Sequence, residues 1–143
     1  MLLRGRRGLT ALALLAWLGS WYVGLLAYRA VIALWYDERV SGGDFLSMAF
    51  WTALVNACCI PFLYAPLVEW LRQYIQKQHA RAIAAVCLAP VAALGPAGLT
   101  WAIWSRGGLA TLLSAELWLV YVAFTASAVI LLPILVMVMN GSP

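Results

Sequence analysis

The sequence of 143 residues has little charge: Asp, Glu, Lys and Arg make up 10% of it, whereas 66% is hydrophobic. A soluble domain is typically about 25% charged and roughly 45–50% apolar. The charge present here is too small to cover a folded surface in water, which excludes a soluble globular domain. Intrinsic disorder is excluded as well, because disordered segments combine low hydrophobicity with high charge. The composition therefore predicts an integral membrane protein.

Residues that are typical of catalytic sites are also scarce. The one histidine, His79, lies in a basic polar run beside Lys77 and Arg81, where we expect it to be solvated. There is no Gly-rich phosphate loop and no His/Cys metal cluster, and the side chains of the adjacent Asp37 and Glu38 diverge. No basic patch with interleaved aromatics stands in a water-soluble segment. We therefore expect no enzyme activity, no cofactor and no nucleic-acid partner.

What the sequence does contain is four long apolar stretches. Each provides the roughly 20 residues that a membrane-spanning helix needs, and none shows the period-two alternation of a strand. No A-x-A-like cleavage site follows the first stretch, so we expect it to remain as a helix. The predicted fold is an all-α integral membrane protein, a four-transmembrane-helix bundle made of two helical hairpins. It forms a single domain over residues 1–143, with helices at residues 9–36, 45–71, 82–104 and 109–139.

The basic residues predict the orientation of the bundle. With the N-terminus inside, six basic residues fall on the cytoplasmic side and two on the opposite side, as the positive-inside rule requires. Four helices then place both termini in the cytoplasm, and we expect the membrane to be the bacterial inner membrane. The six residues are Arg4, Arg6, Arg7, Arg72, Lys77 and Arg81, and the two are Arg39 and Arg106.

The third stretch is rich in small residues. Ala89, Ala93 and Ala97 recur at a spacing of four, which places them on one helix face where small side chains allow close packing. We expect this face to pack against another helix, and this helix to be the most protein-covered of the four. Prolines should also distort the second, third and fourth helices. They are Pro61, Pro66, Pro90, Pro96 and Pro133.

Two charged residues lie inside apolar stretches. Arg29 precedes Tyr36 by seven residues, and Glu116 follows Leu109 by seven. At about 1.5 Å per residue, both lie roughly 10 Å inward of the outer ends. Charges in lipid cost roughly 2.5–3.5 kcal/mol on insertion scales and usually pair. We hypothesise an Arg29–Glu116 pair in a substrate or proton site; the alternative is that both groups reach the outer water by snorkelling.

Uncharged polar side chains also occur at depth. Asn56 lies near the middle of the second stretch, where an amide usually forms a hydrogen bond with a neighbouring helix. The alternative for Asn56 is a role in conduction or ligand binding. Trp17, Trp21 and Trp51 lie deeper than the other tryptophans, most of which suit the membrane interfaces. Each of the three needs a packed neighbour or a polar partner for its indole N–H.

Three cysteines could bind a metal ion. Cys58 and Cys59 are adjacent in the second stretch, and Cys87 in the third could supply a third thiolate to a soft ion such as Hg(II) or Cu(I). The run N-A-C-C-I-P at residues 56–61 is similar to the vicinal-cysteine helix of mercuric-ion transporters, which implies metal transport. The second cysteine pair of that family is absent here, and the helix count differs. The alternative is that the cysteines are small buried hydrophobic residues.

Two classes of function follow. The first is a non-catalytic subunit, assembly factor or regulator of a larger membrane complex. Such a protein would act through its helix faces, because the loops are too small for the roughly 1,000 Å² of a specific interface. The second is a small oligomeric transporter or channel, supported by Arg29, Glu116, Asn56 and the prolines. In both cases the expected partners are membrane lipid and either another protein or further copies of the chain.

Overall fold

The computed structural model describes residues 2–35, 42–104 and 115–140, and these residues form helices and short turns with no strand among them. The predicted all-helical class is confirmed for this part of the chain. Its α-helices are α1 (Leu2–Trp35), α2 (Gly42–Cys59), α3 (Ala65–Tyr74), α4 (Gln78–Trp104) and α5 (Ala115–Asn140), and a π-helical segment (Ile60–Tyr64) joins α2 to α3.

Four stretches of these helices are long and apolar enough to cross a membrane, as the sequence predicted. Span 1 is Ala11–Trp35, span 2 is Phe45–Tyr74, span 3 is Gln78–Ile103 and span 4 is Leu117–Met139. The predicted boundaries of the second and third stretches agree to within a few residues. Residues 36 and 109–114, which were predicted to be helical, lie outside the described residues.

Span 2 contains the π-helical segment at its prolines. Pro61 has no backbone N–H, so the carbonyl of Ala57 loses its usual donor. At the end of the segment the N–H of Ala65 donates to the carbonyl of Ile60, five residues back, which is the π-helical pattern. The distortion expected in this stretch therefore takes the form of one π-helical turn. In contrast, Pro90 and Pro96 lie inside α4, which continues as one α-helix from Gln78 to Trp104.

The centre of the bundle is α5. Its interfaces with α4 and with α1 are the two most extensive between helices in the described part of the chain. Of the 18 consecutive residues that are most apolar in each span, 44% are buried in span 4, 33% in spans 2 and 3, and 22% in span 1. The prediction that the third stretch would be the most protein-covered is therefore wrong. Small residues bring α4 close to its neighbour on one face, whereas α5 has large interfaces with two helices.

The small residues of α4 are buried as a group. Ala89, Ala93 and Ala97 are at most 3% exposed, and they belong to the same core cluster as Leu131 and Leu132 of α5. Small side chains let two helix backbones approach closely, and in a membrane this close packing is itself a source of helix association. Their burial explains how α4 makes so extensive an interface with α5.

The path of α1 depends on one glycine. A Cβ atom on Gly24 would lie 2.7 Å from the carbonyl oxygen of Ala123 and 3.3 Å from Cβ of Ser127, so any larger residue would force α1 and α5 apart. In the described part of the chain, α1 packs mainly on α5 and has a much smaller interface with α2. The predicted pairing of the first two helices as a hairpin is therefore only a minor part of the packing.

The turn between α3 and α4 is closed by Arg81. Its Nε donates to the carbonyl oxygen of Ile75 at 2.5 Å, and its Nη2 donates to that of Gln76 at 2.6 Å. Ile75 is the C-cap of α3, so a cation here also offsets the partial negative charge of a helix C-terminus. Arg81 therefore fixes where span 2 ends and span 3 begins.

Candidate functional site

A group of polar side chains is buried where α1, α2 and α5 meet. We call it the junction cluster, and it consists of Trp21, Thr52, Asn56 and Ser127. Trp21 comes from α1, Thr52 and Asn56 from consecutive turns of α2, and Ser127 from α5. Thr52, Asn56 and Ser127 are all buried, and Trp21 is partly buried. At Gly24, α1 comes close to α5 beside Ser127. The polar side chains of three helices therefore lie near one another.

Asn56 forms the hydrogen bond between α2 and α5. Its Nδ2 donates to Oγ of Ser127 at 2.9 Å. This is the kind of helix-to-helix bond that the sequence led us to expect of a central amide. The partner was not predicted, because Ser127 is a small neutral residue far away in the chain and hydropathy gives it no distinguishing signal.

Trp21 connects α1 to α2. Its Nε1 donates to the carbonyl oxygen of Ala49 at 3.1 Å and to Oγ1 of Thr52 at 3.2 Å. The Thr52 hydroxyl donates in turn to the carbonyl oxygen of Met48 at 2.8 Å, within its own helix. The polar partner expected for a deep tryptophan is therefore present at Trp21. For Trp17, the indole nitrogen is buried and has no hydrogen-bond partner among the described residues.

A small cavity lies within the junction cluster. The space open to the centre of a water molecule is ≈ 10 Å³, about the minimum that one buried water requires. Among the residues that the structure describes, no charged side chain lines it. The lining residues are Trp21, Gly24, Leu25, Tyr28, Met48, Thr52, Asn56, Ala123, Phe124 and Ser127.

The predicted topology puts Arg29 and Glu116 towards the same end of the α1–α5 interface, because the first and last of four alternating spans run in opposite directions. Arg29 follows Gly24 by five residues and Glu116 precedes Ala123 by seven, which puts them about 7.5 Å and about 10.5 Å from the close contact. The Arg29 side chain is exposed, and the Glu116 side chain lies outside the described residues. The Arg29–Glu116 ion pair therefore stays a prediction.

The three cysteines are not brought together. Cys59 is buried, whereas Cys58 and Cys87 are exposed. Neighbouring residues of a helix point roughly 100° apart, so the thiols of Cys58 and Cys59 face different surroundings. Among the described residues, no three His, Cys, Asp or Glu side chains are placed to hold a metal ion. The predicted three-thiolate site of Cys58, Cys59 and Cys87 is therefore not assembled in this structure.

Several hydroxyl groups elsewhere in the bundle are used locally, whereas the hydroxyl of the fully buried Tyr64 has no hydrogen-bond partner among the described residues. Ser20 donates to the carbonyl oxygen of Trp17 at 2.9 Å, and Thr100 donates to that of Pro96 at 2.8 Å. The partly buried Tyr121 of α5 donates to the carbonyl oxygen of Pro90 in α4 at 3.0 Å. These hydroxyls satisfy backbone acceptors within and between helices, which is how membrane proteins accommodate polar groups in an apolar interior.

Comparisons with protein-family models, with curated proteins and with solved structures found no match for this chain.

Proposed function

We propose that this protein is a small non-catalytic membrane protein that acts as a subunit, assembly factor or regulator of a larger membrane complex through its helix faces. The observation that carries the proposal is that the polar side chains are used inside the bundle, whereas its outer surface is apolar. Inside, the polar side chains of the junction cluster bind one helix to another. Outside, the helices present large apolar side chains.

Large apolar side chains are exposed on the outer faces of three helices. Tyr22 of α1 is 57% exposed, Phe50 of α2 is 73% exposed and Val91 of α4 is 62% exposed. Apolar surface of this extent has to be covered by lipid or by protein. The turn at residues 75–77, which is the one turn between spans that the structure describes, is too short to form an interface of its own. At this end of the bundle a protein partner would therefore bind within the membrane.

The proposed orientation places both termini in the cytoplasm of a bacterial cell, in the inner membrane. The six-to-two distribution of basic residues supports it. Aromatic side chains support a membrane position as well. Trp35 and Trp118 are exposed near the proposed outer end, and Trp70 and Tyr74 are exposed near the inner end with ring centroids 5.1 Å apart. Such rings at both ends of a bundle are typical of membrane interfaces.

Transport through a single copy has less support. The cavity in the junction cluster admits about one water molecule, and its described lining residues are all uncharged. A solute pathway would therefore have to form between copies of the chain. A different protein as the partner would favour the subunit of a larger complex. Further copies of the chain as the partner would favour the oligomeric transporter or channel.

Site-specific photo-crosslinking in native membranes tests the proposal. A photoreactive phenylalanine derivative would replace Tyr22, Phe50 or Val91, one exposed position on each of three helices. The matched control is the exposed Gln76 in the turn between α3 and α4, which the proposal places in the cytoplasm. We expect a discrete adduct with a different membrane protein from at least one of the three helix positions and none from residue 76.

The mass of the adducts also distinguishes the proposed subunit from an oligomeric transporter or channel. Adducts made only with a second copy of the chain, at twice its mass, would favour an oligomeric transporter or channel over the proposed subunit. Adducts made only with lipid would contradict both a protein partner and a homo-oligomer. Expression level and membrane insertion of each variant can be compared with the unsubstituted protein, which separates a lost partner from a misfolded chain.

A further inference from the structure

The Asn56 side chain uses only part of its capacity for hydrogen bonds. An amide offers two donor hydrogens on Nδ2 and two acceptor positions on Oδ1. Nδ2 donates to Ser127, whereas Oδ1 is buried and accepts no hydrogen bond from any described residue. The whole residue is 1% exposed. A carbonyl oxygen so enclosed in an apolar bundle is costly, because no bulk water reaches it.

The opposite orientation of the amide leads to the same requirement. If Oδ1 accepted the Ser127 hydroxyl, Nδ2 would be the atom left without a partner. In both orientations one polar atom of Asn56 remains for a further ligand. The requirement therefore comes from the position of the side chain and does not depend on which way the amide is turned.

The space beside this amide fits a single water molecule. Asn56 and Ser127 both line the cavity of ≈ 10 Å³ in the junction cluster. The Ser127 hydroxyl accepts from Nδ2 and still has its own proton to donate. We propose that this cavity binds one long-lived water molecule, which donates to Oδ1 of Asn56 and accepts from the hydroxyl of Ser127.

The chemistry of the lining selects water over an ion. Cation sites are built from several oxygen ligands that usually include carboxylates, and no carboxylate is among the described residues that line this cavity. Much of the lining is apolar and comes from Leu25, Met48 and Phe124. One neutral molecule with both donor and acceptor character satisfies the amide and the hydroxyl together. The water would then be a structural part of the contact between α2 and α5.

Nuclear magnetic resonance of the full chain in lipid nanodiscs tests the site directly. With asparagine that carries ¹⁵N only at Nδ2, the side-chain amides of Asn56 and Asn140 are the two sources of signal, and the Asn56→Leu variant assigns them. A long-lived bound water gives cross-peaks between the water frequency and the Asn56 Nδ2 protons. These cross-peaks have opposite signs in laboratory-frame and rotating-frame experiments. We expect this pair of signs in the unsubstituted protein.

Variants and ions provide the controls. Ser127→Ala removes one of the two water partners and should weaken the Asn56 cross-peak several-fold. Ser20→Ala should leave it unchanged, because the buried Ser20 hydroxyl bonds to Trp17 within α1. A folded, unsubstituted protein with no such cross-peak, or with cross-peaks of the same sign that report simple proton exchange, would overturn the proposal. A shift of the Asn56 signal when Na⁺ replaces choline would also overturn it, in favour of a cation.

Discussion

Gly24 of α1 lies so close to Ala123 of α5 that a Cβ atom on the glycine would be 2.7 Å from the carbonyl oxygen of Ala123. The atom in the way belongs to the backbone of a helix and cannot rotate aside. The contact holds α1 against α5, which also packs on α4. It lies beside Ser127, whose hydroxyl accepts from Asn56, so the centre of the bundle and its candidate site adjoin the same close approach.

Replacing this glycine should separate the two helices. We predict that Gly24→Ala lowers the free energy of unfolding by about 1–3 kcal/mol, the usual cost of overpacking. Gly19→Ala is the matched control on the same helix, because a Cβ at that position meets nothing within 4 Å. It should be neutral or stabilising by up to about 1 kcal/mol, since alanine favours a helix. Unfolding by SDS in mixed micelles measures both, and equal effects would contradict the close contact.

The helical architecture could be read from the sequence because membrane insertion imposes a simple requirement. A helix must hold about 20 apolar residues, so hydropathy located all four spans and the polar turn after Tyr74. The same signal cannot say which helices touch. The small residues of the third stretch led us to expect the greatest burial there, whereas the actual centre is α5. That outcome depends on how Gly24 packs against Ala123, a relation between two distant positions.

The hydrogen bond between Asn56 and Ser127 should contribute measurably to stability. In a double-mutant cycle with Asn56→Leu and Ser127→Ala, we predict a coupling energy of about 0.6–1.7 kcal/mol, the range found between membrane helices. Thr125→Ala provides the control, because the Thr125 hydroxyl donates to the carbonyl oxygen of Tyr121 in its own helix. Its coupling to Asn56→Leu should be close to zero. A cycle that gave both pairs the same coupling would show that the bond is not specific.

Arg81 should control access to the turn between α3 and α4. Arg81→Gln removes donation from the guanidinium to two backbone carbonyls, at a cost of about 1–2 kcal/mol. A loss of that size raises the population of an open turn about 5–30-fold. A lysine-specific protease reports it directly, because Lys77 is the single lysine of the chain. We predict a matching rise in the cleavage rate.

The control for this experiment is Arg72→Gln. Arg72 pairs with Glu69 at 3.7 Å, and both side chains are about half exposed. Exposed pairs of this kind contribute little to stability. The cleavage rate of Arg72→Gln should therefore stay close to that of the unsubstituted protein. If the two variants were cleaved at the same increased rate, charge rather than the hydrogen bonds of Arg81 would account for the effect.

The orientation can be tested by labelling introduced cysteines. In a background in which Cys58, Cys59 and Cys87 are replaced by alanine, Gly43→Cys and Gln76→Cys place single thiols at exposed positions near opposite ends of span 2. A membrane-impermeant maleimide should label residue 43 from the periplasmic side. It should reach residue 76 only after the inner membrane is opened. The reverse pattern would place both termini outside.

The candidate site was only partly predictable. A central asparagine and a deep tryptophan signalled that partners were needed, because an unpaired polar group in lipid is costly. Their partners are Ser127 and Thr52. Which residues become partners depends on how the helices pack, and hydropathy does not distinguish them. The cysteines show the opposite case. Their sequence pattern suggested a shared metal site, but the structure leaves Cys58 and Cys87 exposed and buries Cys59, which hydropathy alone could not show.

The central claim is that the protein works by binding another membrane protein through its helix faces. Its most direct test is the mass of the assembly released from native membranes into native nanodiscs or a gentle detergent. We predict a complex in which this 15.6 kDa chain is present in fixed stoichiometry with at least one different protein. A mass equal to one copy, or to a whole number of copies with nothing else bound, would contradict the account.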